Sequence, residues 1–483
     1  MSVVRAFQLP PSTESLGIEL VSEPLGPPGS SPFQAATTAT ATPIVWPAFG
    51  RDGASGLLDA LRSAKASLDR LPAQGIADKV GEVGERFGDP ADAIRLEAEG
   101  RVALESGLSA ASAGLVVDRV AREWSRARLA SLLQADFPDP SVLDGFVRAD
   151  NGDSIHAVGG SLSFHIGSGN VPGVGATSIV RSLLVKCPVL LKPGREDIAL
   201  SCLFARALAE AYPDLGRAVA VVYWPRGRGG ELETLALERA ERVVVYGGNA
   251  LVRDIRGRTR VGAAFVAYPH RLSVGLVGRE LLEEETRARK VASDAAEAAS
   301  AYDGRGCVSP KVIWVETGGR VEPREWASLL AAEMDRIESE APAAPLDVAS
   351  AATLQQLRGS SELAAAAGGE NAVFSGSSSR WAVLFEPSPD RAIELTCPGR
   401  TVVVRPIDRL ERVPDVIARV AEAIQSVALA AGEGRRAELA SRLVDVGATR
   451  VTSFPRLAWP PAWWRHDGTA PLQALVRWTT LEP

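Results

Sequence analysis

Hydrophobic positions along the chain fall into successive patterns. Residues 1–50 carry short apolar runs among Pro, Ser, Thr and Gly, which indicates an irregular or strand-containing arm. Residues 54–135 repeat apolar residues at helical spacing, and Pro138 and Pro140 end that pattern. From about residue 155 to 278, short runs typical of strands alternate with helical ones. This alternation predicts crossover units and a parallel sheet covered on both faces.

Gly and Pro residues delimit the elements of this alternating region. We expect strands at residues 161–166, 189–192, 218–224, 242–246 and 261–267, and helices at 176–186, 198–212 and 231–239. Strands and helices that alternate in this way are typical of a doubly wound, nucleotide-binding type of α/β architecture.

A second region of mixed strands and helices occupies residues 279–440. We expect a helix at 281–301, strands at 311–316, 381–385 and 401–404, and a helix at 413–431, with a Gly/Ser-rich break at 368–379. This pattern predicts a second α/β domain. The stretch 446–483 is rich in tryptophan, which more often indicates packing or subunit contact than chemistry.

Composition narrows the class of protein. The chain has 483 residues, a net charge of −6 and 46% hydrophobic residues, which allows two or three domains with large cores. The acidic balance argues against a general nucleic-acid-binding surface. We see no signal-peptide pattern and no apolar run long enough to span a bilayer. Four scattered cysteines without zinc-site spacing indicate no metal site and a reducing, cytoplasmic setting.

One cysteine lies in a segment unlike the surroundings of the other three. Cys307 follows Gly304 and Gly306 and precedes Pro310, just after the predicted helix 281–301. The glycines permit backbone angles closed to other residues, and the proline prevents a helix from continuing. A thiol on such a tight loop is suited to act as a nucleophile, although a lone cysteine is more often a small buried apolar residue.

Two of the predicted strands upstream end in polar motifs. Residues 167–175 form a glycine-rich turn whose backbone N–H groups attract negative charge, and Asn170 within it can offer a side-chain N–H to an oxyanion. A plain strand-to-helix turn is the alternative. Lys192 ends the next strand, where side chains point into the crevice in which parallel sheets bind ligands. Arg195 follows closely and is suited to pair with a phosphate.

In order and rough spacing, these motifs resemble the aldehyde dehydrogenase superfamily. Asn170 resembles its oxyanion-hole asparagine, Lys192 its cofactor-ribose lysine and Cys307 its catalytic thiol. Gly247 and Gly248, after a third predicted strand, resemble the turn that packs near the nicotinamide and pyrophosphate. The resemblance implies an aldehyde-dehydrogenase-like fold of two doubly wound α/β domains, one cofactor-binding and one catalytic, with an arm or tail for oligomerisation.

A finer resemblance is to the LuxC-like fatty acyl-CoA, or acyl-protein thioester, reductases of bacterial luminescence systems. It rests on residues 169–173, 246–248, 303–310 and 466–478, and it covers roughly residues 50–483. On this basis we expect an arm at 1–53, a cofactor-binding domain at 54–270, a catalytic domain at 271–440, and a packing or oligomerisation tail at 441–483.

Departures from the superfamily pattern bear on the reaction. Aldehyde-oxidising members carry a Glu upstream of the thiol that activates water, and the corresponding stretch here, residues 265–273, contains no Glu. This absence favours acyl reduction over aldehyde oxidation. His270 lies in the same stretch and is suited to assist proton transfer, with a structural histidine as an equal alternative. The resemblance also suggests Glu394 as the nicotinamide-ribose glutamate and Arg195 as a partner for a 2′-phosphate.

The resemblance implies NADPH-dependent reduction of a fatty acyl-CoA or acyl-protein thioester to the fatty aldehyde through an acyl-Cys307 intermediate. NADH is the alternative reductant. A homo-oligomer and an acyl-protein synthetase as partner are implied as well. Two other functions stay open: an NAD(P)-dependent aldehyde dehydrogenase that oxidises an aldehyde, and a non-catalytic partner of such a synthetase.

Overall fold

The computed structural model describes residues 3–13, 16, 18–24, 42–376, 380–393 and 398–483. Over these residues the chain divides into two compact units. The first consists of Met1–Gly107, Ala113–Pro269 and Pro461–Pro483, and the second of Leu108–Ser112 and His270–Pro460. The described part of the predicted arm and the end of the predicted tail thus belong to the first unit, and their part in oligomerisation stays a prediction.

A mostly parallel sheet forms the centre of the first unit. Its strands, in spatial order, are Ala264–Tyr268, Arg242–Tyr246, Ser163–Ile166, Val189–Lys192, Val219–Val222 and Phe7–Gln8. Neighbouring strands are parallel except for Phe7–Gln8, which is antiparallel to Val219–Val222. The central strands are almost entirely buried, as expected where helices cover both faces. This confirms the predicted doubly wound architecture.

The strand order of this sheet reverses between Ser163–Ile166 and Arg242–Tyr246. After Ser163–Ile166 the chain first adds Val189–Lys192 and then Val219–Val222 on one side of that strand. It later adds Arg242–Tyr246 and Ala264–Tyr268 on the other side. Ligands of open α/β sheets bind at the carboxyl ends of the strands that flank such a reversal. In this unit that point lies at Gly167 and Gly247, which directly follow the two strands.

Helices and two small sheets complete the first unit. The helices are Arg51–Asp69, Ala73–Gly88, Ala93–Ser106, Ala110–Glu123, Arg126–Asp136, Val174–Leu184, Ile198–Ala211, Pro213–Gly216, Gly230–Arg239 and Asn249–Arg258, with 3-10 turns at Pro11–Thr13, Pro140–Leu143, Arg195–Asp197 and Gln473–Leu475. One small sheet has the order Val4–Arg5, Pro43–Ala48, Glu19–Pro24, and the other Val476–Leu481, Ser154–Gly159, Val147–Arg148. The predicted helical stretch at 54–135 is confirmed, whereas the C-terminal strand was not expected.

The second unit contains a larger sheet. Its order is Ala372–Phe374, Trp381–Phe385, Arg400–Ile407, Pro310–Glu316, Leu272–Val277, Ile424–Ala430 and Arg450–Thr452. All neighbours are parallel except at the antiparallel edge strand Ala372–Phe374. Val312 and Trp314 belong to one apolar cluster, and Ile313 and Val315 belong to another. Alternate residues of one strand therefore enter opposite layers, as in a doubly wound fold.

The helices of the second unit follow its strands along the chain. They are Glu285–Ser300, Pro323–Glu340, Val348–Ala366, Val413–Ile417, Glu433–Asp445 and Phe454–Leu457, with 3-10 turns at Arg279–Leu281, Ala301–Gly304, Leu410–Arg412 and Ala418–Ala423. Among all residues that the structure describes, no helix is both long and apolar enough to cross a membrane.

One predicted element of this unit is wrong. The sequence predicts a single helix over 413–431, but the helix ends at Ile417 and the chain then forms the strand Ile424–Ala430. This strand is almost entirely buried between Leu272–Val277 and Arg450–Thr452. Alanine-rich sequence favours a helix locally, but a place between two parallel strands requires an extended backbone, and burial on both faces outweighs the local preference.

Candidate active site

The segment that leads to Cys307 turns sharply before a strand. Tyr302, Asp303 and Gly304 have left-handed backbone angles, with φ of 51°, 53° and 69°. Glycine adopts this conformation freely, whereas a tyrosine in it is strained. Cys307 is half-buried on the turn that follows and lies shortly before the strand Pro310–Glu316. The thiol is therefore presented on a tight loop.

Neighbouring side chains hold the backbone of this loop. Ser273 Oγ donates to the carbonyl oxygen of Cys307 (2.7 Å), and Lys311 Nζ donates to the carbonyl oxygen of Gly304 (2.5 Å). A Cβ on Gly304 would lie 2.3 Å from the carbonyl oxygen of Gly399, so glycine is required at this position. The backbone on each side of the thiol is thus fixed.

A half-buried cation, Arg450, lies near the thiol. Desolvation and the positive charge of Arg456 together lower the pKa of Arg450 to about 10, against the opposite effect of Cys307. The guanidinium also donates to the carbonyl oxygen atoms of Leu457 (2.8 Å) and Arg456. A positive charge close to a cysteine favours the thiolate, which is the reactive form. Sequence reasoning missed Arg450 because no local motif marks it.

His270 lies in the short connection before the strand Leu272–Val277, and its side chain is exposed. The start of the same strand reaches the thiol loop through Ser273, whose hydroxyl contacts Cys307. A role for His270 in proton transfer stays a prediction.

In the first unit, the glycine-rich turn after Ser163–Ile166 presents Asn170 at the surface. Ser168 Oγ donates to Asn170 Oδ1 (2.7 Å). This hydrogen bond orients the amide, so that the donor atom Nδ2 lies on the side away from Ser168. A Cβ on the neighbouring Gly169 would meet no described atom within 4 Å. The turn is therefore oriented and open, as a donor to a developing oxyanion requires.

Backbone N–H groups at the end of this turn are already bound. Asp197 accepts hydrogen bonds from Gly173 N (2.6 Å) and Gly175 N (2.5 Å), at the start of the helix Val174–Leu184. A buried carboxylate of the chain itself thus occupies the anion position at this helix N-terminus, and these two donors are not available to a phosphate. Burial raises the pKa of Asp197 to about 7, against the lowering effect of the two hydrogen bonds.

Lys192 and Arg195 lie at the carboxyl end of a central strand of the first unit. Lys192 is half-buried, and its Nζ lies 5.5 Å from the centre of the Tyr223 ring. Burial lowers the pKa of Lys192 to about 8, and the carboxylate of Glu233 opposes this shift. Burial raises the pKa of Tyr223, and the charge of Arg195 opposes that shift. The structure therefore places Lys192 near the Tyr223 ring, and the charge of Arg195 acts on the same phenol.

Gly247 and Gly248 follow the strand Arg242–Tyr246 and lead into the next helix. Gly247 N donates to the carbonyl oxygen of Tyr268 (3.1 Å), on the neighbouring strand. Gly248 is exposed, and a Cβ there would meet no described atom within 4 Å. The turn thus leaves space at the carboxyl edge of the sheet. Glu394, the expected ribose glutamate, lies outside the described residues.

Part of the C-terminal motif packs at the same edge. His466 stacks on Tyr268 (4.2 Å between ring centres, 17° between planes) and on Trp464 (4.3 Å, 23°). Tyr268 stacks in turn on Tyr246 (4.6 Å, 23°). Tyr246 and Tyr268 end adjacent parallel strands, so this ring stack lies where α/β sheets bind ligands. No local pattern in the tail predicts this place at the sheet edge.

Solved structures identify the fold. The chain is similar to NADP-dependent glyceraldehyde-3-phosphate dehydrogenase from Bacillus halodurans, solved with NADP, with a TM-score of 0.68, 16% identity and 96% of each chain covered. It is also similar to Delta-pyrroline-5-carboxylate dehydrogenase from Mycobacterium tuberculosis, with a TM-score of 0.71, 16% identity, and 99% of this chain and 90% of the other covered. These matches confirm the predicted aldehyde-dehydrogenase-like fold.

Curated relatives carry one name, long-chain acyl-protein thioester reductase. The protein from Aliivibrio fischeri is 27% identical over 136 residues, 27% of each chain. The protein from Photorhabdus laumondii is 23% identical over 372 residues, 74% of this chain and 71% of the relative. In the relatives from Aliivibrio fischeri and Photobacterium phosphoreum, the match spans 27% and 38% of their length.

The family described as "Acyl-CoA reductase (LuxC)" matches residues 71–478. This range is most of the chain, and it includes Asn170, Lys192 and Cys307 as well as the ring stack at the sheet edge. The chain therefore belongs to the LuxC acyl-CoA reductase family.

Proposed function

We propose that this chain reduces a fatty acyl thioester to the fatty aldehyde, with NADPH as the reductant and Cys307 as the acyl acceptor. Membership of the acyl-CoA reductase family supports the reaction. The observation that carries the proposal at the level of residues is the thiol loop, on which half-buried Cys307 lies near the charge of half-buried Arg450. A thiol in such surroundings is suited to nucleophilic attack.

In the acylation step, the Cys307 thiolate attacks the carbonyl carbon of the substrate. The bond between that carbon and the sulfur of the acyl carrier breaks, the carrier leaves as its thiolate, and Cys307 carries the acyl group as a new thioester. We assign the backbone N–H of Cys307 as a donor to the oxyanion of the tetrahedral intermediate, and the family resemblance gives Asn170 Nδ2 the same kind of role. One such donor lowers the barrier by about 3 to 4 kcal/mol. The hydrogen bond that orients Asn170 on Ser168 supports this role.

The acyl-enzyme must resist hydrolysis for reduction to succeed. Residues 265–273, which correspond to the stretch that carries the water-activating Glu of aldehyde-oxidising enzymes, contain no Glu. They form most of the strand Ala264–Tyr268 and the start of Leu272–Val277. The absence of a carboxylate base from this stretch supports reduction over hydrolysis.

We assign cofactor binding to the first unit. Gly169 and Gly248 lie beside the strand reversal, and a Cβ on either would meet no described atom within 4 Å, so both leave room for a ligand. Lys192 and Arg195 add two cations close to Tyr223. These residues fit a dinucleotide, with Lys192 on a ribose and Arg195 on the 2′-phosphate of NADPH. When bound, the reduced nicotinamide supplies the hydride that takes the acyl group to the aldehyde.

The acyl donor that we propose is a long-chain acyl-CoA or acyl-protein. Its support is the name of the relative from Photorhabdus laumondii, a long-chain acyl-protein thioester reductase. A protein-bound donor implies an acyl-protein synthetase as partner. A homo-oligomeric state and a cytoplasmic setting are also part of the proposal, and the family resemblance supports them.

An oxidation assay with NADPH or NADH and fatty acyl-CoAs of graded chain length tests the proposal, with the aldehyde identified by mass spectrometry. Cys307→Ala should abolish aldehyde formation. Cys202→Ala, which changes a buried thiol on the helix Ile198–Ala211, should retain it. Aldehyde formation that survives in Cys307→Ala would refute the assigned role of the thiol.

The same assay separates the alternatives. Conversion of an aldehyde to the acid, without reduction of any acyl-CoA, would identify an aldehyde dehydrogenase. Absence of turnover in both directions, with and without an acyl-protein synthetase, would favour a non-catalytic partner.

A further inference from the structure

The loop that presents Cys307 contains backbone strain. Tyr302 and Asp303 both have left-handed φ angles, of 51° and 53°, which a tyrosine rarely adopts. Such a backbone persists only where surrounding contacts hold it. In this loop, several buried contacts converge on the side chain of Asp303.

Arg400 and Asp303 form a buried ion pair. Arg400 donates from Nε (3.0 Å) and Nη2 (2.7 Å) to Asp303 Oδ1, and Asp303 Oδ2 accepts from the backbone N–H of Ala344 (2.9 Å). The guanidinium also binds Glu338 (3.3 Å) and the carbonyl oxygen of Ala341 (2.8 Å). The side chains of Arg400 and Asp303 are 1% and 5% exposed. Loss of Arg400 would remove the cation that binds the buried carboxylates of Asp303 and Glu338.

This ion pair attaches the thiol loop to a strand outside it. Arg400 begins a strand of the sheet, and the carbonyl oxygen of the preceding Gly399 lies 2.3 Å from where a Cβ on Gly304 would be. Asp303 and Gly304 are therefore held against the start of that strand, and Cys307 lies on the turn that follows.

We propose that Arg400 and Asp303 are positioning residues for Cys307. The inference rests on the proposed role of Cys307 in acyl transfer. Without the pair, the backbone at Tyr302 relaxes toward ordinary angles and the turn that carries the sulfur shifts. A displacement of about 1 Å at a reacting group lowers the rate by up to about 100-fold.

A second ion pair on the same strand provides a matched control. Arg405 donates from Nε (3.0 Å) and Nη2 (2.8 Å) to Glu386 Oε2, and the two side chains are 2% and 10% exposed. Charge, geometry and burial are therefore close to those of the Arg400 pair. Arg405 also donates to the carbonyl oxygen atoms of Arg391 and Ala392, which lie outside the thiol loop.

The test compares Asp303→Asn and Arg400→Lys with Glu386→Gln and Arg405→Lys in the full chain. For each variant we would measure the thermal unfolding midpoint, kcat and KM with NADPH and an acyl-CoA, and the pH profile of Cys307 alkylation by iodoacetamide, read from its peptide by mass spectrometry. We expect Asp303→Asn and Arg400→Lys to lower the limiting alkylation rate and kcat by about tenfold or more, with KM for NADPH within about twofold. The control variants should lower the midpoint comparably but keep alkylation and kcat within about twofold of wild type.

The positioning role would be overturned if Asp303→Asn and Arg400→Lys showed the same alkylation rate and kcat as the control variants. The pair would then be a stabilising contact only. If Asp303→Asn does not fold, Arg400→Lys provides the test. It keeps the positive charge and loses only the forked geometry of the guanidinium. A wild-type protein that neither forms aldehyde nor is alkylated at Cys307 would overturn the proposed function, and this inference with it. The two failures are therefore distinguishable.

Discussion

The strand that leaves the thiol loop ends in a buried carboxylate whose removal tests the stability of the second unit. Glu316 is the last residue of Pro310–Glu316, and its side chain is fully buried. Each of its oxygen atoms accepts from Arg435 (2.9 Å), and Arg279 adds a further contact at 3.1 Å. We expect Glu316→Gln to destabilise the protein, because it removes the negative charge that these two guanidinium groups bind.

The size of the effect follows from the pKa of Glu316. Burial by itself would raise this pKa, but the hydrogen bonds from Arg435 and Arg279 outweigh burial and lower the pKa from 4.5 to about 2. A shift of that size corresponds to about 3 kcal/mol of folding free energy. Arg435 and Arg279 are 30% and 44% exposed, so solvent screening reduces the expected loss to about 2 kcal/mol.

The loss of unfolding free energy in Glu316→Gln should decrease as the pH falls. Because the pKa of Glu316 is lower in the folded than in the unfolded chain, the stabilisation is fully present above about pH 4.5 and is lost as the pH falls towards about 2. The difference in unfolding free energy between wild type and Glu316→Gln should therefore be about 2 kcal/mol near neutral pH and about 1 kcal/mol smaller at about pH 3.5.

Urea unfolding followed by tryptophan fluorescence measures this difference, since Trp314 and Trp326 are fully buried in the second unit. The matched control is Glu340→Gln, which removes the partner of Arg336 in a pair whose side chains are 63% and 45% exposed. Glu340→Gln should lower the free energy of unfolding by less than about 0.5 kcal/mol. Equal losses in the two variants, or a loss in Glu316→Gln that does not change with pH, would refute the reasoning.

Two further predictions concern a glycine of the first unit and an arginine of the second. Gly194→Ala would put a Cβ 1.6 Å from the carbonyl oxygen of Ser168, so we expect a lower thermal unfolding midpoint and loss of NADPH-dependent turnover. Gly169→Ala, whose Cβ meets no described atom within 4 Å, should keep the wild-type midpoint, and equal midpoints in the two variants would argue against this packing. Arg450→Gln should move the pH midpoint of Cys307 alkylation upward, because the thiolate loses a nearby positive charge, and an unchanged pH profile would rule out that influence.

Strands were predicted best where a short apolar run lies between turn residues. Val189–Lys192, Arg242–Tyr246 and Trp381–Phe385 have the predicted bounds, because each is a short apolar run and Gly, Pro or Ser lies close by. Ile424–Ala430 was misassigned because its alanines are compatible with a helix, and its strand conformation depends on pairing with residues far away in the chain. Val476–Leu481 depends on such pairing as well.

Only those residues of the candidate site that lie in a recognisable local motif could be predicted from the sequence. Cys307 and Lys192 stand beside glycines or at strand ends, which a single stretch of sequence reveals. Asp197 accepts hydrogen bonds at the N-terminus of a helix that begins 23 residues earlier, at Val174. Arg400 binds Asp303 in the thiol loop from a distant strand, and the charge of Arg450 acts on Cys307 from another. Packing of the sheet brings these residues together, and no local pattern carries that information.

The most direct test of the central claim is a mass measurement of the Cys307 peptide after the protein is mixed with a long-chain acyl-CoA in the absence of reductant. The account predicts that an acyl adduct accumulates on this peptide, and that addition of NADPH removes it with release of one fatty aldehyde per adduct. Two results would contradict the role of Cys307 as the acyl acceptor. One is an unmodified Cys307 peptide under conditions where NADPH-dependent aldehyde formation is measured. The other is loss of the adduct as the free fatty acid when NADPH is added.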